Sequence, residues 1–173
     1  MIILNLLPFM SNPTIAKNYS NLQTFFLVLL RLLLGWYFLY EGLVKIANPD
    51  WSALGYLMDS QGPLAGFFQS LAANAGTVAV IDFLNKWGLT LIGLGLILGL
   101  FNRLAQIFGM MLLILYYCSH PPLASISYIM PQEGSYLWVN KTLIEIVAMA
   151  VLLVFPTSQI FGMDRLISKW FKN

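Results

Sequence analysis

The chain has 173 residues, 59% of them hydrophobic and 9% charged, with a net charge of +2, whereas soluble domains carry roughly 25% charged residues. That composition belongs to one compact polytopic membrane domain, residues 1–173, with no room for a second soluble one. It excludes a nucleic-acid surface, because no basic cluster occurs, and the lone Cys118 and lone His120 exclude an internal disulfide and a bis-histidine haem.

Residues 1–20 begin MIILNLLPFM, an apolar run too short to span and broken by Pro8 and Pro13. They read as an interfacial tail that reaches Lys17, with Ser20 or Asn21 capping the first long helix. That helix, the first span, covers about 22–47 and ends at Asn48-Pro49. It carries Arg31, Glu41 and Lys45, and at roughly 100° per residue Lys45 lies about 40° and Glu41 about 80° from Arg31. Three ionisable groups on one face of a membrane helix demand partners.

The outer loop, 48–77, contains Asp50, Asp59 and the Gly62-Pro63 break. Leu64, Phe67, Phe68 and Leu71 fall at helical spacing, so the loop is expected to hold short amphipathic helices. They either lie in the interface or pack over the bundle. The second span, about 78–101, opens with Asp82, Asn85 and Lys86. Its Gly95-x-x-x-Gly99, with Gly88 a heptad earlier, predicts a close helix contact rather than a nucleotide loop, because no strand precedes it. Asn102-Arg103 makes a turn into the third span, about 104–118, which leads to His120-Pro121-Pro122. A loop with Pro131 and Glu133 leads to the fourth span, about 136–155, which bears Asn140, Lys141 and Glu145. The tail, 158–173, sets Arg165, Lys169 and Lys172 against Ile160, Phe161, Leu166 and Trp170, an amphipathic helix for an anionic membrane face.

The fold class expected is therefore an all-α membrane protein, a four-helix transmembrane bundle. Lys17, Arg103, Arg165, Lys169 and Lys172 collect on one side, which places both termini in the cytoplasm. In that arrangement Glu41/Lys45, Asp82/Lys86 and Lys141/Glu145 form three i, i+4 pairs at one depth, with Asn140 beside them and His120 at the outer end of the third span. Arg31 lies roughly 20 Å deeper. The layer is either a set of self-satisfied pairs that fix helix register or a functional site. Arg31 either joins it or snorkels to cytoplasmic phosphates.

The first span, with Arg31, Leu34-Gly35 and Gly42-x-x-Lys45, followed by Asn48-Pro49-x-Trp51 and Gly62-Pro63, resembles the DoxX/DoxD family of small four-helix membrane proteins. GLTLIGLGLILGLFNRLAQIFG continues the likeness, which covers roughly Phe25 to Phe155. Resemblance to DoxD implies a bacterial inner-membrane subunit that passes electrons from thiosulfate to quinone, with a DoxA-like subunit supplied separately. On that reading Glu41, Glu145 and His120 relay protons, while Arg31, Lys45, Lys86 and Lys141 bind substrate or quinone. Trp36 and Tyr40 wall a quinone ring, and Asp82 and Asn140 complete the charge network. Quinone is the one cofactor implied; no haem, iron–sulfur, flavin or metal ligand set is evident. Two other readings stay open: a membrane anchor for a soluble partner, and a small-molecule or lipid transporter, which would need a homo-oligomer.

Overall fold

The computed structural model describes residues 19–123, 128–129, 137–158 and 160–165. The expected N-terminal tail, the loop around Pro131 and Glu133, Tyr136, and the amphipathic tail beyond Arg165 lie outside the described residues. The described helices are α1 (Asn21–Ala47), α2 (Leu54–Met58), α3 (Ala65–Ala72), α4 (Ala75–Leu98), α5 (Asn102–Ser119) and α6 (Lys141–Val154).

Local chemistry sets most of their ends. Ser20 and Gln23 form a capping box, the Ser20 hydroxyl accepting from the Gln23 N–H and the Gln23 side chain accepting from the Ser20 N–H. The Asn74 side chain accepts from Gly76 and Thr77, so α4 starts three residues earlier than its apolar run predicts. It stops at Gly99, whose φ of 61° is left-handed. Asn140 caps α6 by accepting from Leu143 N–H at 3.0 Å. Asn140 thus precedes the helix, and Lys141 is its first residue. The start of α5 has no local cap: Asp164, beyond α6, accepts from the Phe101 and Asn102 N–H groups at 2.8 and 3.2 Å.

Helices α1, α4, α5 and α6 enclose one apolar core, built on Leu34 and Phe38, Leu89, Ile92 and Leu96, Ala105 and Leu113, and Met149 and Leu152. α1 lies along α4, and α5 along α6. The close α1–α4 approach runs through Gly35, Gly42 and Gly93: a Cβ on Gly93 would collide with the Leu39 backbone, and one on Gly42 with Thr90. The expected glycine contact forms at Gly95 but not at the other two positions. Gly88 has nothing within 4 Å, Gly95 faces Ala105 of α5, and Gly99 is the helix terminus, packed on Gly162.

The short loop helices occur as expected and pack over one end of the core. Ala53, Leu57, Phe68 and Ala72 form a second apolar cluster with Trp51, Leu71, Ile81 and Cys118. Of the four helically spaced residues, Phe68 and Leu71 pack into this cluster, while Leu64 and Phe67 face outward. This end is the capped end below; the other is the Arg31 end.

Of the described helices, α1 and α4 are long and apolar enough to cross a membrane. The outer faces of all four long helices are apolar: Phe25, Leu33 and Leu43 on α1, Phe83 and Leu91 on α4, Phe108 and Leu115 on α5, Ile144 and Val147 on α6. Such a belt far exceeds the few hundred Å² of contiguous apolar patch that soluble monomers expose.

Candidate functional site

Two polar regions lie inside this apolar shell, one at each end. At the Arg31 end, Arg31 is 3% exposed. Its guanidinium donates to Thr157 Oγ1 at 3.1 Å and to the Phe161 carbonyl at 2.6 Å, with Asp164 near enough to interact electrostatically. Asp164 in turn holds the start of α5, and its own N–H donates to the Gly99 carbonyl. Arg31 therefore ties α1 to the chain beyond α6 and to the α4–α5 turn. It is about 21 Å along α1 from Lys45, and the structure does not bring it together with Lys45, Lys86 or Lys141. Asn102, expected in a turn but the first residue of α5, and Gln106, not singled out from the sequence, are buried on the core face of α5, with Asn102 Oδ1 and Gln106 Nε2 lacking hydrogen-bond partners.

At the capped end the expected charged layer forms, with different pairings. Lys45 and Glu41 make their salt bridge. Asp82 and Lys86 do not: Asp82 Oδ1 accepts from the Ala53 N–H at 2.7 Å, and the Lys86 ammonium faces the Trp51 ring. Lys45 approaches the same ring, both nitrogens lying 5.5 Å from its centroid. Trp51 thus wedges between α1 and α4, a favourable place for an indole beside two cations. A buried backbone amide needs an acceptor more than a half-buried lysine that already rests on an indole does, which explains why Ala53 takes the Asp82 carboxylate.

Tyr37 faces the same layer. The Lys141 ammonium sits 4.3 Å from its ring centroid, and Glu41 and Glu145 lie within electrostatic reach of its hydroxyl. Glu145 is 9% exposed, and both it and Lys141 are engaged by further contacts. Tyr116 donates to Asn85 Oδ1 at 2.7 Å and meets Tyr56 edge-on. Trp36 and Tyr40, expected to wall a quinone ring, are 61% and 57% exposed and face away from this layer; at helical spacing they share the lipid-side stripe of α1, while Tyr37 and Tyr116 occupy the inner position.

His120 belongs to a separate cluster. It lies just beyond α5, 4% exposed, with its ring stacked on Tyr56 at 4.0 Å and tilted against Tyr128 at 4.7 Å. Its Nδ1 is 3.0 Å from Ser119 Oγ, and its Nε2 faces Asp59 Oδ2 at 3.8 Å, beyond hydrogen-bond range. Neither Glu41 nor Glu145 touches it. Burial lowers the His120 pKa, with the Asp59 charge opposing, and burial raises the Tyr56 and Tyr128 hydroxyls, which stay protonated at neutral pH. Asp, His and Ser in sequence resemble a nucleophilic triad, yet Ser119 is 1% exposed, so no substrate reaches its hydroxyl. Asp59, Tyr56 and Tyr128 escaped sequence reading because nothing in their spacing points to His120. No group of three or more potential metal ligands occurs among the described residues.

An all-helical chain with an apolar outer belt and polar groups turned inward is a membrane protein, and lipid is its environment. Residues 26–120, more than half of the chain, match the DoxX family, and the chain belongs to that family. The matched stretch runs from α1 to His120 and so contains Glu41, Lys45, Trp51, Asp59 and Lys86, while Lys141, Glu145 and Asp164 lie beyond it. No curated protein matches the chain. No solved structure matches it either.

Proposed function

We propose that this DoxX-family protein is a four-span inner-membrane subunit of a quinone-linked oxidoreductase, with both termini in the cytoplasm. The observation that carries this reading is the charged layer around Tyr37, where Lys141, Glu41 and the buried Glu145 converge beside an apolar core. The apolar outer face continues over α5 and α6, and this shared face, rather than their lengths of about 27 and 21 Å against a core of about 30 Å, supports four crossings. Orientation follows from Arg103 and Arg165 at the Arg31 end and from Asp50 and Asp59 at the capped end. Lys45 and Lys86, at the capped end, spend their charges on Glu41 and Trp51 instead of on a membrane surface.

Quinone fits the chemistry of this layer. Its reduction takes two electrons and two protons. Glu41 and Glu145 are acids placed to deliver the protons, and Lys45 or Lys141 donates to a ring oxygen as negative charge develops there. The electrons come from thiosulfate or a related sulfur compound, directly or through a second, DoxA-like subunit. The test is to measure quinone in the extract of the purified protein and thiosulfate-dependent quinone reduction in native membranes. Glu145→Gln is expected to lower that reduction on the order of 100-fold without changing the melting temperature. Absence of both bound quinone and thiosulfate-dependent reduction overturns the proposal.

A second reading, an anchor for a partner at the outer surface, is favoured by the exposed apolar edge of the cap, Leu54, Met58, Leu64 and Phe67. Copurification of a partner with the intact chain, and its loss in Met58→Ser/Phe67→Ser, separates this reading from the first.

A further inference from the structure

The cap formed by α2 and α3 carries almost no charge. Of the 31 residues from Trp51 to Ile81, Asp59 alone is charged, where a soluble stretch of that length carries about eight. Asp59 is itself buried. The polar side chains are spent within the cap or on the helix ends beneath it. Tyr56 donates to the Tyr116 carbonyl, Ser60 to the Ser119 carbonyl, Gln69 to the Ser60 carbonyl and Ser70 to the Phe67 carbonyl. Ser52 accepts from the Leu54 N–H, and Asn74 caps α4. Outward, the cap presents Leu54 and Met58 of α2 and Leu64 and Phe67 at the start of α3, each about half exposed. Polar groups paired internally under an apolar exterior are what lipid demands and water does not.

The depth of the cap points the same way. α3 lies against α4, and Phe68, Leu71 and Ala72 share one apolar cluster with Ile81. Ile81 is six residues into α4, which begins at Ala75, or about 9 Å along its axis. Counted back from Leu98 at the other end of α4, a hydrocarbon core of about 30 Å covers about 20 residues and reaches about residue 78. Ile81 therefore stands inside that core. At its level α4 turns Val80 and Phe83 outward, both exposed. The cap thus lies beside the first two turns of α4, where the apolar belt is still continuous, and does not stand on the rim of the bundle.

We propose that the cap is set into the membrane leaflet on its own side, with Leu54, Met58, Leu64 and Phe67 against lipid acyl chains. It acts as a wedge in that leaflet, as short interfacial helices do when their apolar face is buried at the headgroup boundary. A soluble protein is the poorer match for this surface, since protein interfaces carry a polar rim around their apolar centre, and no exposed charge surrounds these four residues between Trp51 and Ile81. The cap also lies over the polar layer, because Trp51 sits between Lys45 and Lys86. Lipid as well as protein then separates that layer from the aqueous phase. This requires that α4 cross the bilayer, as in the four-span reading above, but it requires no quinone.

The chain has a single cysteine, Cys118, so site-directed spin labelling is direct. Full-length Cys118→Ser protein carrying Met58→Cys or Phe67→Cys is labelled with a nitroxide and placed in phospholipid nanodiscs. Collision with oxygen, which concentrates in lipid, is compared with collision with a water-soluble nickel chelate. Phe83→Cys serves as the lipid-facing reference and Asp50→Cys as the aqueous one. Oxygen is expected to exceed the chelate several-fold at both cap positions, as at Phe83→Cys. A chelate preference like that of Asp50→Cys at either position overturns the proposal and leaves the edge in water. Low access to both reagents also overturns it, in favour of a protein cover. The unmodified chain gives a second measurement, photo-crosslinking to a phospholipid with a diazirine in its acyl chain. Adducts are expected within residues 54–67, and adducts confined to the long helices overturn the proposal. Neither readout involves quinone, so loss of quinone reduction and loss of lipid contact are separate results.

Discussion

The two ends of the molecule treat charge in opposite ways. At the Arg31 end one guanidinium is held by a hydroxyl and a carbonyl, and the nearby Asp164 spends both oxygens on the backbone of the α4–α5 turn. At the capped end, ammonium groups rest on aromatic faces, a carboxylate holds a loop amide, and a histidine faces its carboxylate across an open gap. Arg31 connects segments far apart in the chain. The capped-end groups instead make contacts within α1 and between the long helices and the cap. A charge held from two sides, as Arg31 is through both terminal nitrogens, stabilises a fold, and one left loosely engaged can take part in chemistry.

The sharpest way to break this contrast is to remove Arg31. Arg31→Met is expected to cost about 3 kcal/mol, the cost of breaking a buried charge interaction, read as a lowered melting temperature in detergent. Arg31→Lys recovers only part of this, because a single ammonium does not reproduce the planar fork that reaches both Thr157 and Phe161. If Arg31→Met melts normally but abolishes quinone reduction, the Arg31 end belongs to the reaction after all.

Between the two ends lies the α1–α4 crossing, on which both depend. Gly93→Ala is expected to cost about 2 kcal/mol through overpacking against Leu39. Gly88→Ala, with open space at its Cβ, is expected to be neutral or to gain a few tenths of a kcal/mol from helix propensity. Equal effects at the two glycines would refute the observed register.

Acid titration should sharpen the contrast with the smallest effect. The unfolded chain takes up the His120 proton near pH 6.5, and the folded chain takes it up lower because the ring is buried. Below about pH 6.5 the unfolded state therefore binds more protons, and stability falls with falling pH by up to about 1.4 kcal/mol per unit until the folded site loads. Chemical denaturation at several pH values should show this slope, and His120→Gln should remove it.

Much of this molecule is local and so was legible. The long helices follow from apolar runs, the start of α1 from Ser20, and the Glu41–Lys45 pair from i, i+4 spacing, whereas the starts of α4 and α6 at Asn74 and Asn140 differ from the expected ones. The loop helices were legible from their apolar spacing, but which apolar residues turn inward was not: Phe68 and Leu71 pack in, while Leu64 and Phe67 do not. A short amphipathic helix has a clear apolar face only once the surface beneath it is known.

The sequence by itself determined an all-helical membrane chain, its family likeness and a concentration of charge near one end, because those depend on composition and on spacing within one helix. Only the tertiary structure decided which charges meet. It gave Asp82 to the Ala53 amide, set Lys86 on Trp51, brought Asp59 to His120, and let Asp164 cap α5 from beyond α6. It also chose Gly35, Gly42 and Gly93 for the crossing over the glycines whose spacing had suggested it. The reason is the same each time. Within a helix, spacing fixes which residues are neighbours, but between helices the choice of partner belongs to register and to the buried backbone groups that must be satisfied first.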